Sequence, residues 1–165
     1  MPDTTRAMNI SDLARLSQLF AADHQPAQLY AAVDDLIQRR MGHRLLTIMR
    51  VHEAAMEVER VYSSNATAYP VGGRKKKRGT PWSALVLDKG EVFIAATPAD
   101  VRAAFDDYEL IFSLGVGSIM NIPIGYRGRR LGTINISHQA HWFTDEDAAG
   151  GRLIAPLLVP ALLTV

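Results

Sequence analysis

Cysteine is absent from the chain, so disulfides, thiol nucleophiles and thiolate metal ligands are all excluded. Neither sign of charge dominates: 18 Lys and Arg against 17 Asp and Glu give a formal net charge of +1. Such a balance provides no overall field that would attract nucleic acid or a membrane surface. The longest apolar stretch, positions 153–165, is too short to cross a bilayer and contains two prolines. We therefore expect a soluble, cytoplasmic protein that partners neither membranes nor nucleic acid.

The chain carries enough apolar residues for one folded domain. Its 165 residues are 48% hydrophobic and 21% charged, which is typical of a globular protein with its own core. Apolar spacing predicts two helices before position 42, then strands at Leu45–His52 and 56–63. A long surface loop follows over positions 64–79, and Thr80, Thr97 and Thr144 each precede a predicted helix. Adjacent strand pairs indicate an α+β fold with an antiparallel sheet of about five to six strands.

A hairpin with unusual polar residues lies near the end of the sheet. Residues 118–124 and 131–137 read as two strands around a turn rich in Gly and Arg, and each contains an asparagine, Asn121 or Asn135. A three-residue loop at 127–129 places the two asparagines opposite each other, whereas a two-residue loop at 127–128 does not. Small neutral polar groups in an apolar strand suit the wall of a cavity. Alternatively, each asparagine holds a neighbouring loop backbone.

Several segments resemble those of the GAF domain, a small-molecule-sensing fold. They are RVYSSNATAYPVGG at 60–73, the helix after Pro81, SLGVGSIMNIPI at 113–124 and LGTINISH at 131–138. The resemblance covers residues 25–165, and residues 1–24 are expected to form an N-terminal helix and tail of the same single domain. It implies a ligand pocket on one sheet face, under the segments between Tyr69 and Gly115. The first and last helices would cover the other face and form a homodimer.

The resemblance also narrows the function. The Asn-Lys-Phe-Asp-Glu signature of cyclic-nucleotide-binding GAF domains is absent, and without cysteine neither the free methionine sulfoxide reductase chemistry of this fold nor covalent bilin attachment is available. The resemblance implies a sensory or regulatory module that binds a small organic ligand and acts through a separate effector protein. The alternative is a small enzyme that uses the pocket with a His or Tyr acid–base group or with a bound metal. No particular cofactor is indicated.

Candidate ligand-binding residues come from the hairpin and from the aromatic side chains around the expected pocket. Aromatic rings with polar tips suit a planar organic ligand, although each could equally be ordinary core. The set comprises Tyr69, Trp82, Phe105, Tyr108, Ser118, Asn121, Thr133 and Asn135.

Two further features have weaker functional interpretations. His138 is the candidate for proton transfer, because imidazole titrates near neutrality; no metal-binding spacing accompanies it. The basic run from Arg74 to Arg78 could close over an anionic ligand as a lid, but a solvated loop is the simpler interpretation.

Overall fold

The computed structural model describes residues 6–23, 26–77 and 79–163, so Arg78 of the basic run and part of the predicted N-terminal tail lie outside it. Helices α1 (Ile10–Ala21) and α2 (Pro26–Arg40) precede the first strands. The six strands are β1 (Leu45–His52), β2 (Glu57–Ser63), β3 (Arg74–Lys76), β4 (Phe93–Ala95), β5 (Ser118–Tyr126) and β6 (Arg129–His138). The remaining helices are α3 (Pro81–Ser83), which continues as a π-helical turn (Ala84–Lys89), α4 (Pro98–Ala104), α5 (Tyr108–Ser113), α6 (Asp145–Ile154), a 3-10 turn (Ala155–Leu158) and α7 (Val159–Leu163).

The strands form one antiparallel sheet in the order β3-β2-β1-β6-β5-β4, which confirms the predicted α+β class and strand number. The loop prediction for positions 64–79 is wrong in part, because Arg74–Lys76 form edge strand β3 against β2. Arg74 lies 3.7 Å from the carboxylate of Glu57 and 3.4 Å from that of Glu59. Cross-strand charge pairs therefore accompany this strand. A three-residue basic strand has no apolar alternation from which it could be predicted.

The two faces of the sheet are covered differently. On one face, α1, α2, α6 and α7 bury the main core, in which Leu36, Ile37, Ile48, Ile122 and Ile134 are almost fully enclosed. On the other face, smaller clusters bring the segment 64–115 onto the sheet through side chains such as Tyr69, Trp82 and Ile111. This is the arrangement expected from the sequence, with terminal helices on one side and short elements on the other.

Helix α6 approaches the sheet very closely. At Gly151, a Cβ would collide with the Ile122 side chain of β5. Glycine permits this approach because it has no side chain. Gly150, Gly151 and Ile154 on the sheet-facing side of α6 are buried as a result. Leu153, on the outer side of the helix, is 54% exposed.

The hairpin has the two-residue turn of one predicted register and the facing asparagines of the other. The turn is the two-residue form, with Arg127 and Gly128 at φ +51 and +75. Asn121 nevertheless lies opposite Asn135, because a bulge between Ile124 and Gly125 gives β6 one additional residue. Such a bulge shifts the register by one and returns the asparagines to the same face.

Candidate functional site

A cavity of about 70 Å³ lies on the face covered by the segment 64–115. Its floor comes from alternate residues of the three central strands: Leu45, Thr47 and Met49 of β1, Ile119 and Asn121 of β5, and Asn135 and Ser137 of β6. These side chains share one face because strand residues alternate with a period of two. Tyr69, Lys77, Trp82, Phe105 and Ile111 contribute to the opposite wall.

A chain of hydrogen bonds crosses the floor of this cavity. The Trp82 indole Nε1 donates to Asn121 Oδ1 at 3.0 Å, and Asn121 Nδ2 donates to Asn135 Oδ1 at 2.7 Å. Asn135 Nδ2 then donates to Thr47 Oγ1 at 3.1 Å. All four residues are less than 10% exposed. The network, which we call the asparagine ladder, satisfies both asparagines in a buried site and attaches α3 to the central strands.

Tyr69 lies between a cation and a carboxylate at the edge of the cavity. Its hydroxyl donates to Asp107 Oδ2 at 2.9 Å, and the Arg60 guanidinium carbon lies 4.7 Å from its ring centroid. Burial and the Asp107 carboxylate raise the pKa of the Tyr69 phenol well above its ordinary value. The phenol is therefore neutral at physiological pH and acts as a hydrogen-bond donor.

Three cations line the cavity, against one carboxylate. Arg60 is 7% exposed and donates from Nη1 to the Pro70 carbonyl at 3.0 Å, but its buried Nε has no hydrogen-bond partner among the described residues. Lys75 lies 3.6 Å from Asp107, and the Lys77 ammonium lies 5.2 Å from the Trp82 ring centroid. Within the described part of the chain, no carboxylate is in ion-pair contact with Arg60 or Lys77. Burial lowers the pKa of both side chains, so a nearby negative charge would be favourable.

Five of the predicted site residues line the cavity: Tyr69, Trp82, Phe105, Asn121 and Asn135. Three others do not. Tyr108 packs against Phe112 with its ring centroid 5.8 Å away, and Arg102 lies over it. Ser118 lies on the opposite face of the sheet, with its hydroxyl donating to the Gln139 carbonyl at 2.6 Å. Thr133 follows the alternation of Asn135 but lies beyond the cavity and is fully buried. Its hydroxyl has no hydrogen-bond partner in the described ranges of the chain.

His138, the predicted proton-transfer residue, also lies away from the cavity. Its ring stacks on that of Trp142, with 3.7 Å between centroids, and its Nδ1 accepts a hydrogen bond from the Gln139 backbone N–H. Burial and the nearby Arg44 lower its pKa. These contacts favour a neutral imidazole in a packing role at the end of β6. Among the described residues, no group of three or more His, Asp or Glu is arranged to hold a metal ion.

Sequence reasoning did not assign Arg60, Asp107 or Thr47 to the site. Arg60 lies within the segment 60–73 that carries the GAF resemblance, but nothing in its sequence context distinguishes it from a surface arginine. Lys75 and Lys77 belong to the basic run that the sequence offers as a lid over an anionic ligand, so their positive charge near the cavity is predictable. For Thr47, the alternation of β1 is sufficient once Asn135 is known to be its cross-strand partner.

Comparison with known proteins shows similarity in structure only. No protein-family model matches the sequence, and no curated protein matches it either. In the described part of the chain, no helix is long and apolar enough to cross a membrane.

Several solved structures share the architecture at low sequence identity. The GAF domain of a phosphoenolpyruvate-protein phosphotransferase from Coxiella burnetii has a TM-score of 0.76 at 19% identity, over 93% of this chain and 92% of its own. The phycoerythrobilin-bound GAF domain of a cyanobacterial phytochrome has a TM-score of 0.72 at 14% identity, over 92% and 93%. A type II free methionine-R-sulfoxide reductase from Thermoplasma acidophilum has a TM-score of 0.63 at 17% identity, over 83% and 91%. At these identities the similarity establishes architecture and leaves function to the site itself. The chain has the GAF-domain fold.

Proposed function

We propose that the protein is a sensory or regulatory module that binds a small organic anion in the cavity beside the asparagine ladder and acts through a separate partner. The observation that carries this proposal is Arg60, a buried guanidinium that faces the cavity and contacts no carboxylate among the residues that the structure describes. A buried charge is costly unless it is paired, and a bound anion would supply the missing charge.

The chemistry of the walls narrows the ligand further. Arg60 and Lys77 provide positive charge on one side, while Tyr69, Trp82 and Phe105 provide aromatic surface. A planar ring bearing a carboxylate, sulfonate or phosphate would match both features. Two of the similar structures are GAF domains from a phosphotransferase and from a bilin-bound phytochrome. These relatives support a regulatory, ligand-binding use of the fold.

Binding would require the cavity to enlarge. A volume of about 70 Å³ is well below the roughly 300–1,000 Å³ of typical small-molecule pockets. The Trp82 side chain is the part of the wall best suited to move, because one hydrogen bond joins it to Asn121 and a π-helical turn follows α3. A ligand donor at Asn121 Oδ1 would replace the indole N–H, and α3 would shift with the displaced Trp82. The displaced α3 would be the signal presented to the effector.

We further propose a homodimer formed by the first and last helices, as the fold resemblance implies. Ile10 is 86% exposed and Phe20 38% on α1, while Leu153 and Leu163 are 54% and 44% exposed near the C-terminus. These apolar side chains lie on the helical side of the sheet, away from the cavity. A second copy would cover them and leave the cavity accessible.

An enzyme that uses the same cavity would need an acid–base group within reach of a ligand. His138 and Tyr108 do not line the cavity. Tyr69 does, but burial and the Asp107 carboxylate raise its pKa, so its phenol keeps its proton and serves as a hydrogen-bond donor rather than as a proton-transfer group. The binding role is therefore the better supported of the two.

Native mass spectrometry of protein purified without added ligand tests the proposal. A stoichiometric organic adduct should be present in the wild type and lost in Arg60→Gln. The matched control is Arg102→Gln, which removes an arginine that also stacks on a tyrosine, at 5.2 Å from the Tyr108 centroid, but outside the cavity. That variant should retain the adduct.

Fluorescence offers a second measurement if the cavity is empty after purification. The chain has two tryptophans, so Trp142→Phe leaves Trp82 as the single reporter. Titration with aromatic carboxylates, sulfonates and phosphates should change its emission. If no adduct is found and no anion of this panel changes the Trp82 signal, the proposed function is rejected.

A further inference from the structure

A second cavity, of about 370 Å³, lies at the tip of the β5–β6 hairpin. It is bounded by the hairpin end, the link at residues 90–92 and the helical turn after α6. None of its lining residues belongs to the cavity beside the asparagine ladder. Along β6, Arg130 is five positions from Asn135, which corresponds to about 17 Å at 3.3 Å per residue. The two sites are therefore separate.

The lining of this second cavity is strongly cationic. Four arginines contribute to it, Arg127, Arg129, Arg130 and Arg152, and no carboxylate does. Arg129 is paired with Glu53 at 3.0 Å. Across the part of the chain that the structure describes, the other three have no ion-pair partner. Three uncompensated guanidinium groups therefore converge on one concave surface in a protein whose net charge is only +1.

Arg130 is held in place by its surroundings. Its Nε donates to the Leu87 carbonyl at 3.3 Å, which leaves the two terminal nitrogens for another acceptor. A Cβ at Gly90 or at Gly125 would collide with these nitrogens, so the guanidinium lies directly against two glycine backbones. A positioned guanidinium loses less conformational freedom when it binds an oxyanion than a mobile surface arginine does.

Arg127 occupies a position that arginine rarely takes. The turn requires positive φ at both central residues, and Asn, Asp and Gly are the residues that adopt it readily. Arg127 has φ +51 and is exposed at the rim of the cavity. The turn itself gains nothing from an arginine here. Backbone of this kind is enriched at binding sites; in the described chain Met56 and His141 have it as well, so the arginines, and not the turn, indicate the site.

We propose that this cavity is a second ligand site, which binds a small molecule carrying a multiply charged phosphate group. Guanidinium groups match phosphate geometry with paired hydrogen bonds, and three of them would balance a di- or trianion. Tyr126, Pro123 and Pro156 supply an apolar wall for the remainder of the molecule. This inference is independent of the ligand proposed for the first cavity, because it uses none of the same residues.

A small ligand fits the surface better than nucleic acid does. The uncompensated arginines are gathered around one cleft rather than spread along a helix or a stripe. Binding to a duplex would instead depend on phosphate contacts repeated over a long surface. Binding of a DNA duplex at these arginines would therefore overturn the assignment.

Isothermal titration calorimetry of the full chain with inorganic pyrophosphate tests the second site. The wild type should bind one equivalent. Arg130→Gln should weaken binding by about tenfold or more, because it removes a charge-assisted hydrogen bond, and Arg152→Gln should weaken it severalfold. Arg15→Gln, on α1 and outside this lining, is the control with the same charge change and should bind as the wild type does. Arg60→Gln should also bind normally, which separates this site from the first.

Several results would overturn the proposal. One is absence of pyrophosphate binding to the wild type, and another is equal weakening by Arg15→Gln and Arg152→Gln. Loss of binding in Arg60→Gln alone would assign the anion to the first cavity. Tighter binding of a short DNA duplex, lost in the same arginine variants, would replace the small-molecule assignment. Arg152 is exposed on α6, so its variant remains informative if Arg130→Gln fails to fold.

Discussion

Replacement of Asn135 by leucine should destabilise the protein by breaking the asparagine ladder at its centre. Asn135 accepts from Asn121 and donates to Thr47, and it is 8% exposed. Leucine keeps a similar side-chain size but forms no hydrogen bond. The substitution therefore leaves Asn121 Nδ2 and Thr47 Oγ1 without their partners in a buried site.

The expected size follows from the two groups left unpaired. A buried polar group without a partner costs about 1–3 kcal/mol. Two such groups give roughly 2–6 kcal/mol, and burial of the leucine side chain offsets about 1.5–3 kcal/mol. We expect a net loss of about 2 kcal/mol, with a decrease in Tm of roughly 4–8 °C for a chain of this length.

Urea unfolding followed by circular dichroism measures this loss. Ser137→Ala is the matched control, since Ser137 lies two residues away on the same strand face, is 5% exposed and makes no side-chain hydrogen bond within the described chain. It should change the free energy of unfolding by less than about 1 kcal/mol. Equal effects of the two substitutions, or no effect of Asn135→Leu, would refute the role assigned to the ladder. Asn135→Leu should also weaken binding of an anion that contacts the asparagine ladder.

Two further expectations concern pH and assembly. In the folded chain, burial and Arg44 lower the pKa of His138 below its ordinary 6.5, so the unfolded chain is protonated first. Stability should therefore fall as pH drops through 6.5 toward the folded pKa. Urea midpoints measured between about pH 7.5 and about pH 5.5 should show a smaller fall for His138→Gln than for the wild type. The same pH dependence of the midpoint in both proteins would contradict the burial of this ring. Leu153→Glu should convert the proposed dimer to monomer in sedimentation velocity, whereas Leu110→Glu, 40% exposed on the other side of the sheet, should not. A Leu153→Glu dimer would place the interface elsewhere.

Local patterns predicted most of the fold. Alternation of Met56 and Val58 with Glu57 and Glu59 predicted the strand that the structure has at Glu57–Ser63. Thr80, Thr97 and Thr144 each begin a helix by accepting from the backbone three residues later. These features depend on neighbours within one turn or along one strand, so the sequence carries them directly. The short strand Arg74–Lys76 was missed for the opposite reason, because only its pairing with β2 defines it.

The sequence predicted the asparagines of the cavity floor but not Arg60 and Asp107 in its walls. Asn121 and Asn135 were identified because amides are unusual in apolar strands, and both line the cavity. Ser118 was grouped with them, but strand alternation turns it to the helical face. Asp107 could not be assigned, because it reaches Tyr69 from 38 positions further along the chain. Arg60 could not be assigned either, because only the folded loop after β2 brings its guanidinium over the Tyr69 ring.

The sequence by itself determined that two amide-bearing strands form a hairpin and that no cysteine chemistry is available. Apart from the short strand β3, it determined the order of the strands as well. Only the tertiary structure decided that the asparagines face each other, because a bulge at Gly125 compensates for the two-residue turn. It also decided that the buried Arg60 and two lysines line the cavity and that arginines gather at the hairpin tip. Strand and helix patterns depend on residues that are close in the chain, so the sequence shows them directly. The grouping of charged side chains depends on which distant segments the core brings together.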